Sequence, residues 1–138
     1  PGHFLLELFH GPTFAFKDIA LQLVGRLFDH QLEHRDERVM IVGATSGDTG
    51  GAVAAAFDAR PGMRVVVLFP DGRVSARQAH QLSCWSDNVL TLKVRGSFDD
   101  CQALVKAAMA DEALAARHRF SSANSIARPC SSFSMRAT

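Results

Sequence analysis

At 138 residues, 47% hydrophobic and 21% charged, the chain is long enough to bury a core as one globular domain. Its 15 basic and 14 acidic residues leave a formal charge of +1, and their interspersion argues against nucleic acid or an anionic membrane surface as partner. No apolar run reaches the roughly 18 residues a membrane span requires, no secretory signal is visible, and three widely spaced cysteines (Cys84, Cys101, Cys130) make no disulfide framework, so a reducing cytoplasm is expected.

In chain order, Phe4 to Phe9 reads as a strand. A helix is predicted from Lys17 to about Leu32, with Leu23, Val24, Leu27 and Phe28 on one face and Asp29, Glu33 and Arg35 in solvent. Val39 to Val42 forms a short apolar run before Gly43, and an Ala-rich helix spans Thr49 to Phe57, closed by Arg60-Pro61-Gly62. Val65 to Phe69 is the clearest buried strand, stopped by Pro70-Asp71-Gly72. Ser75 caps the next helix, to about Cys84. A strand follows over Val89 to Val94, then a helix capped by Ser97, with Asp100 as a weaker version of the usual Glu or Gln partner, running to about Arg117. Phe120 to Ile126 reads as a last strand.

Continuous apolar strands alternating with helices predict an open parallel α/β sheet with helices on both faces. Ligands of such sheets bind beyond the carboxyl ends of the strands, which directs attention to residues 10–18, 43–50, 70–75, 95–98 and 123–126. The chain ends read differently: Pro1 leads straight into an apolar segment, while "RPCSSFSMRAT" is Ser-rich and shows neither periodicity. These ends predict a fragment, with an incomplete lobe over 1–126 and an aberrant or disordered tail over 127–138, as if the reading frame changed near that junction.

In "VMIVGATSGDTGGAVAAAF" the turn and first helical residues carry Gly43, Gly47, Gly50 and Gly51. Small residues let helix N-terminal amides approach a ligand, and the helix dipole favours an anion there. Asp71, about 20 residues on, suits the ribose acid of a dinucleotide site. The spacing, however, is Gly43-x3-Gly47-x2-Gly50, and Asp48 suits a pyrophosphate poorly. Thr45, Ser46 and Thr49 better suit a small carboxylate such as that of an amino acid. A turn glycine-rich for packing alone is the third reading, and a P-loop is excluded because no Gly-Lys-Ser/Thr follows.

"HGPTFAFKD" sets Lys17 beside Phe16 at the mouth of a helix. An apolar neighbour and the positive helix N-terminus both disfavour an ammonium, which prepares a lysine for imine formation or proton abstraction. Asp18 acts in the opposite sense, and a lysine pointing at water is the plain alternative. A lysine at one strand-to-helix mouth and a hydroxyl-and-glycine loop at another are together what an amino acid held on pyridoxal phosphate requires. His30 and His34 lie four apart but lack the H-E-x-x-H arrangement. His10 either contacts a cofactor or supports the turn.

"LELFHGPTFAFKD", "ATSGDTGGAVAAAF", "DDCQALVKAAMADEAL" and "SSANSI", in that order over residues 1–126, resemble the threonine synthase family, pyridoxal phosphate enzymes of tryptophan-synthase-β-like fold. The likeness is greatest to the branch whose loop reads TSGDTG. The resemblance implies one lobe of such an enzyme, a lyase converting O-phosphohomoserine and water to threonine and phosphate. It implies Lys17 as the Schiff-base lysine and proton shuttle, with Phe16 and Asp48 beside the cofactor. Thr45, Ser46, Gly47, Thr49, Asn124 and Ser125 would hold the substrate. Asp48 stands where many relatives carry Asn, and "SANSI" continues into "ARPC" where the family continues with Asn and an Arg-bearing helix. The family's phosphate-binding glycine loop lies later still. The rest of a parent enzyme is thus expected to cover an apolar face and complete the site. Two other readings stand beside this one. One is a nicotinamide oxidoreductase using Gly43 to Gly50, although the absence of tyrosine removes the Tyr-Lys pair of short-chain dehydrogenases. The other is a catalytically dead α/β module.

Overall fold

In a computed structural model of the chain, the described residues are 2–33 and 38–122. They form helices α1 (Lys17–Glu33), α2 (Asp48–Phe57), α3 (Ala76–Ser83), α4 (Phe98–Ala110) and α5 (Glu112–Arg117), with strands β1 (Val39–Ala44), β2 (Met63–Pro70), β3 (Val89–Val94) and β4 (Phe120–Ser122). All strand pairs are parallel, in the order β3-β2-β1-β4. The chain thus builds outward from β1 to β3, then crosses to the other edge to lay down β4. That reversal puts the topological switch point between β1 and β4, where open α/β sheets bind their ligands.

Alternation along the strands feeds two cores. Val39, Ile41, Met63, Val65, Val67 and Phe69 face α1, α2 and α3, where Val53, Phe57 and Leu82 complete one buried cluster. Val42, Ala44 and Leu68 face the other way, onto Cys101 and Val105 of α4. The sheet is therefore covered on both faces, as its continuous apolar strands require. At Cys101, burial and then the neighbouring Asp100 charge push the thiol above its ordinary range, which suits a packing residue and not a nucleophile.

Four expectations about the elements need correction. Asp29, expected in solvent, is half-buried and paired with Arg60. Phe4 to Phe9 pairs with no strand among the described residues, and Phe4 is 98% exposed; an apolar run becomes a strand only where a sheet edge receives it. The expected single stripe on α1 splits: Val24 and Phe28 pack on the core, while Leu23 and Leu27 are 60% and 53% exposed. With Phe16 and Ile19, which are also exposed, they form a second apolar stripe at helical spacing. The helix after Ser97 does not run unbroken to Arg117. It stops at Ala110, and Asp111 starts α5 by accepting from the amides of Ala113 (2.9 Å) and Leu114 (3.0 Å).

Ser97 and Asp100 form a reciprocal capping box in spite of the short acid: the Ser97 amide donates to the carboxylate at 2.6 Å, and the Asp100 amide donates to Ser97 Oγ at 3.2 Å. The bonds from the Ser97 amide and then its hydroxyl, with a lesser contribution from the Arg73 charge, hold the Asp100 carboxyl below the usual carboxylate range against desolvation. A lowered folded-state value means the cap contributes above the unfolded value, near pH 4, and is lost as pH falls through the folded one. The amide NMR shifts of Ser97 and Asp100 are therefore expected to titrate together, below about pH 4.

Candidate active site

The lysine turn is organised by the residue after the lysine. Asp18 is buried and accepts from the Thr13 amide at 2.9 Å and from Thr13 Oγ1 at 2.6 Å. These bonds tie the turn shut across five residues, helped by the Phe14 amide donating to the Gly11 carbonyl at 3.2 Å. A Cβ at Gly11 would overlap the Asp18 side chain, and Phe14 takes a positive φ of 60°. Asp18 is thus spent on Thr13, and Lys17 has no carboxylate partner among the described residues. Its Nζ rests 4.1 Å from the centroid of the exposed Phe16 ring. Replacing Asp18 by Asn removes one of two charge-assisted acceptors, and urea denaturation should show a loss of about 1.5–3 kcal/mol.

The glycine loop is organised by Thr45. That residue is 2% exposed, and its hydroxyl accepts from the amides of Gly47 (3.0 Å) and Gly50 (2.8 Å) while donating to the Gly47 carbonyl (3.1 Å). Gly50 is the third residue of α2, and its amide is shared between Thr45 Oγ1 and the Gly47 carbonyl at 3.2 Å, so Thr45 supports the helix start from upstream of the cap position. The cap residue itself, Gly47, has φ 148° and offers no side-chain cap. The amides of Asp48 and Thr49, first and second in α2, have no acceptor among the described residues. A Cβ at Gly50 would overlap Thr45 and Leu82, so this glycine is required by close packing beneath the loop.

Gly43 does not belong to the turn, contrary to expectation. It lies inside β1, paired with Val67, where strand hydrogen bonds claim its backbone. A dinucleotide reading loses its first glycine for that reason. The remaining loop, 45–50, follows the carboxyl end of β1 directly.

The two mouths meet. The Thr13 methyl lies 3.9 Å from where a Cβ of Gly51 would stand, and Gln81 of α3 donates to the Thr13 carbonyl at 3.3 Å. The lysine turn therefore packs on the first turn of α2 beside α3. Ser46 and Asp48 are exposed, Thr49 is half-buried, and Gly47 is buried. β4 ends at Ser122, opposite Val42; Asn124 and Ser125 lie outside the described residues, as does His34. His10 is exposed and bonded to Glu7 at 2.7 Å. Among the described residues no three His, Cys, Asp or Glu gather as metal ligands.

Sequence reasoning missed Gln78. Its carboxamide donates to Asp48 at 2.9 Å and accepts from the Ser75 amide at 2.9 Å, joining α3 to the glycine loop. The spacing Ser75-x-x-Gln78 was the available signal, since it is a capping-box pattern.

Against known families, the description "Pyridoxal-phosphate dependent enzyme" matches residues 3–132. The chain belongs to this family. It is similar to threonine synthase of Pseudomonas aeruginosa, 48% identical over 126 residues, which are 91% of this chain and 27% of that protein. It is also similar to threonine synthase of Saccharomyces cerevisiae, 44% identical over 88% of this chain and 26% of that protein. Among solved structures, the pyridoxal-phosphate-bound threonine synthase from Brucella melitensis superposes with a TM-score of 0.84 at 52% identity, covering 89% of this chain and 27% of that one. The chain spans about a quarter of the length of the curated relatives it matches. Its sheet and helices are those of the tryptophan-synthase-β-like fold. Nothing in these matches favours a nicotinamide oxidoreductase.

The residues present fit the family's cofactor on its aldehyde side. A primary amine without a carboxylate partner among the described residues starts α1, on a turn that packs through Thr13 against α2, a helix whose first two amides are open and whose glycines leave no side chain in the way.

Proposed function

We propose that this chain supplies the lysine turn and the substrate-carboxylate loop of a threonine synthase, converting O-phosphohomoserine and water to threonine and phosphate. The observation that carries the reading is the packing of the Lys17 turn against the open first turn of α2, within a sequence 48% identical to a threonine synthase. Pyridoxal phosphate, when bound, supplies an aldehyde for amines and a ring that takes up the electron pair left by a departing proton. Lys17 would hold it through Nζ, and the same Nζ would move protons at the α and β carbons of the substrate. Phe16 offers Lys17 Nζ a resting place on its ring and, with Asp48, would stand beside the cofactor.

The amides of Asp48 and Thr49 receive the substrate carboxylate, which the dipole of α2 also favours. Ser46 and Thr49 add hydroxyl donors, and Gly47 admits the carboxylate to the backbone. Thr45 acts through the loop it braces, because its hydroxyl is already committed to Gly47 and Gly50. We assign Asn124 and Ser125 to substrate binding as well, on the likeness of "SSANSI" to the family. The overall reaction consumes one water for each phosphate released.

The reading extends to partners and compartment. The exposed stripe of Phe16, Ile19, Leu23 and Leu27, with Phe4, Leu5 and Leu6 nearby in sequence, is a face that further protein covers. Cys84 and Cys101 form no disulfide among the described residues, as a reducing cytoplasm allows, and no helix among them is long and apolar enough to cross a membrane.

The test is a graft. Residues 3–122 of this chain replace the matching segment of the Pseudomonas aeruginosa enzyme, and threonine formation from O-phosphohomoserine is measured. A working graft supports the assignment; a folded graft that binds pyridoxal phosphate but forms no threonine refutes it.

A further inference from the structure

Asp48 poses a problem for the cradle just described. Its carboxylate sits at the first position of α2, beside the amides that are to receive another carboxylate. Acids at this position ordinarily interact with their own helix N-terminus. An unrestrained Asp48 would occupy or repel the very place the substrate needs. Yet α2 has no side-chain cap, and the described partner of the Asp48 side chain is on a different helix: Gln78 Nε2, at 2.9 Å.

Gln78 is held in the orientation this requires. Its Oε1 accepts from the Ser75 amide at 2.9 Å, and its own amide donates to Ser75 Oγ at 3.2 Å, completing the capping box of α3. With the carbonyl end claimed by Ser75, the amino end has to be the one presented to Asp48. The bare backbone of Gly47 makes room for it, since a Cβ there would overlap the Gln78 carboxamide. One side chain thus caps α3, lies against the loop backbone and draws the Asp48 carboxylate toward α3.

We propose that Gln78 is a positioning residue that withholds the Asp48 carboxylate from the N-terminus of α2 and so keeps the Asp48 and Thr49 amides open for the substrate's carboxylate. The proposal rests on the reading of this loop as a carboxylate cradle. A neutral amide is the group suited to the task. It donates to Asp48 and accepts from Ser75, whereas a glutamate would cap α3 equally well but confront Asp48 with a like charge.

The test separates capping from positioning. The intact chain is titrated with sodium acetate at constant ionic strength, using sodium chloride as balance, and the amide NMR shifts of Ser46, Asp48 and Thr49 are followed. The wild type is expected to show saturable shifts at these amides. Gln78→Glu retains the α3 cap and the melting temperature, yet should weaken acetate binding at least about fivefold, a coupling ordinary for groups in contact. Gln78→Leu should weaken it as well. Adding Asp48→Asn to either variant is expected to bring affinity back to that of Asp48→Asn alone, because no carboxylate then needs restraint. Wild-type-like binding by Gln78→Glu, with the wild type itself binding, would overturn the positioning role alone. Failure of Asp48→Asn to restore binding would also overturn it, in favour of a purely structural cap. An absence of acetate-specific shifts in the wild type would overturn the cradle reading and the proposal with it.

Discussion

Replacing Lys17 by alanine in the grafted enzyme is expected to lower threonine formation at least about 10³-fold, toward the upper end of what a positioned acid-base group contributes. The reason lies in how the turn is built. Thr13 claims the Asp18 carboxylate, and Lys17 has no carboxylate partner among the described residues. An amine in that position is available to bond the cofactor and to carry protons. Lys17→Arg should be equally inactive, since a guanidinium stays protonated and presents no free amine. Neither variant removes the Thr13–Asp18 bonds that shape the turn, so the fold should survive both, with melting temperatures close to that of the parent graft. Steady-state turnover by Lys17→Ala within tenfold of the parent would place the chemistry elsewhere.

The second large effect concerns Thr45. Thr45→Val keeps the shape of the side chain and deletes only the hydroxyl, leaving the Gly47 amide without its acceptor at 3.0 Å and the Gly50 amide with the Gly47 carbonyl at 3.2 Å alone. The unsatisfied buried amide of Gly47 costs about 1–3 kcal/mol, so urea denaturation of the variant should register a loss of that size. Thr45→Ser restores the oxygen and should recover most of it. The methyl group matters less, although it lies where a Gly50 side chain would otherwise reach. Because the hydroxyl braces the loop from inside, Thr45→Val should also broaden or shift the amide signals of Ser46 to Gly50. If Thr45→Val is as stable as the parent, the loop is held by its helix and strand alone.

The strand-helix alternation was legible because its causes are local: apolar runs of strand length, and the capping serines at Ser75 and Ser97. What was not legible depended on neighbours. Phe4 to Phe9 has the composition of a strand and no edge to join. Leu23 and Leu27 repeat at the same spacing as Val24 and Phe28, but only tertiary packing decides which of two adjacent stripes turns inward. Asp111 could be read as a helical residue or as the cap of a new helix, and the packing of α4 against the sheet decides. In the candidate site, residue types at a turn point to a carboxylate or a cofactor, but they do not reveal that Thr45 faces its own loop. Gly43 looked like part of the turn because strand registration is set by β2, a segment some 20 residues away. Gln78 was hidden for a similar reason. Its capping partner is three residues off, while its functional partner, Asp48, is reached only across the packing of α2 and α3.

The central claim is that this chain forms a site in which Lys17 is the cofactor lysine. The most direct measurement is an absorbance spectrum of the purified chain with pyridoxal phosphate, followed by borohydride reduction and peptide mapping. A visible band distinct from free cofactor, and a reduced adduct on Lys17, are expected. A spectrum matching the free cofactor, or label spread equally over Lys93 and Lys106, would contradict it.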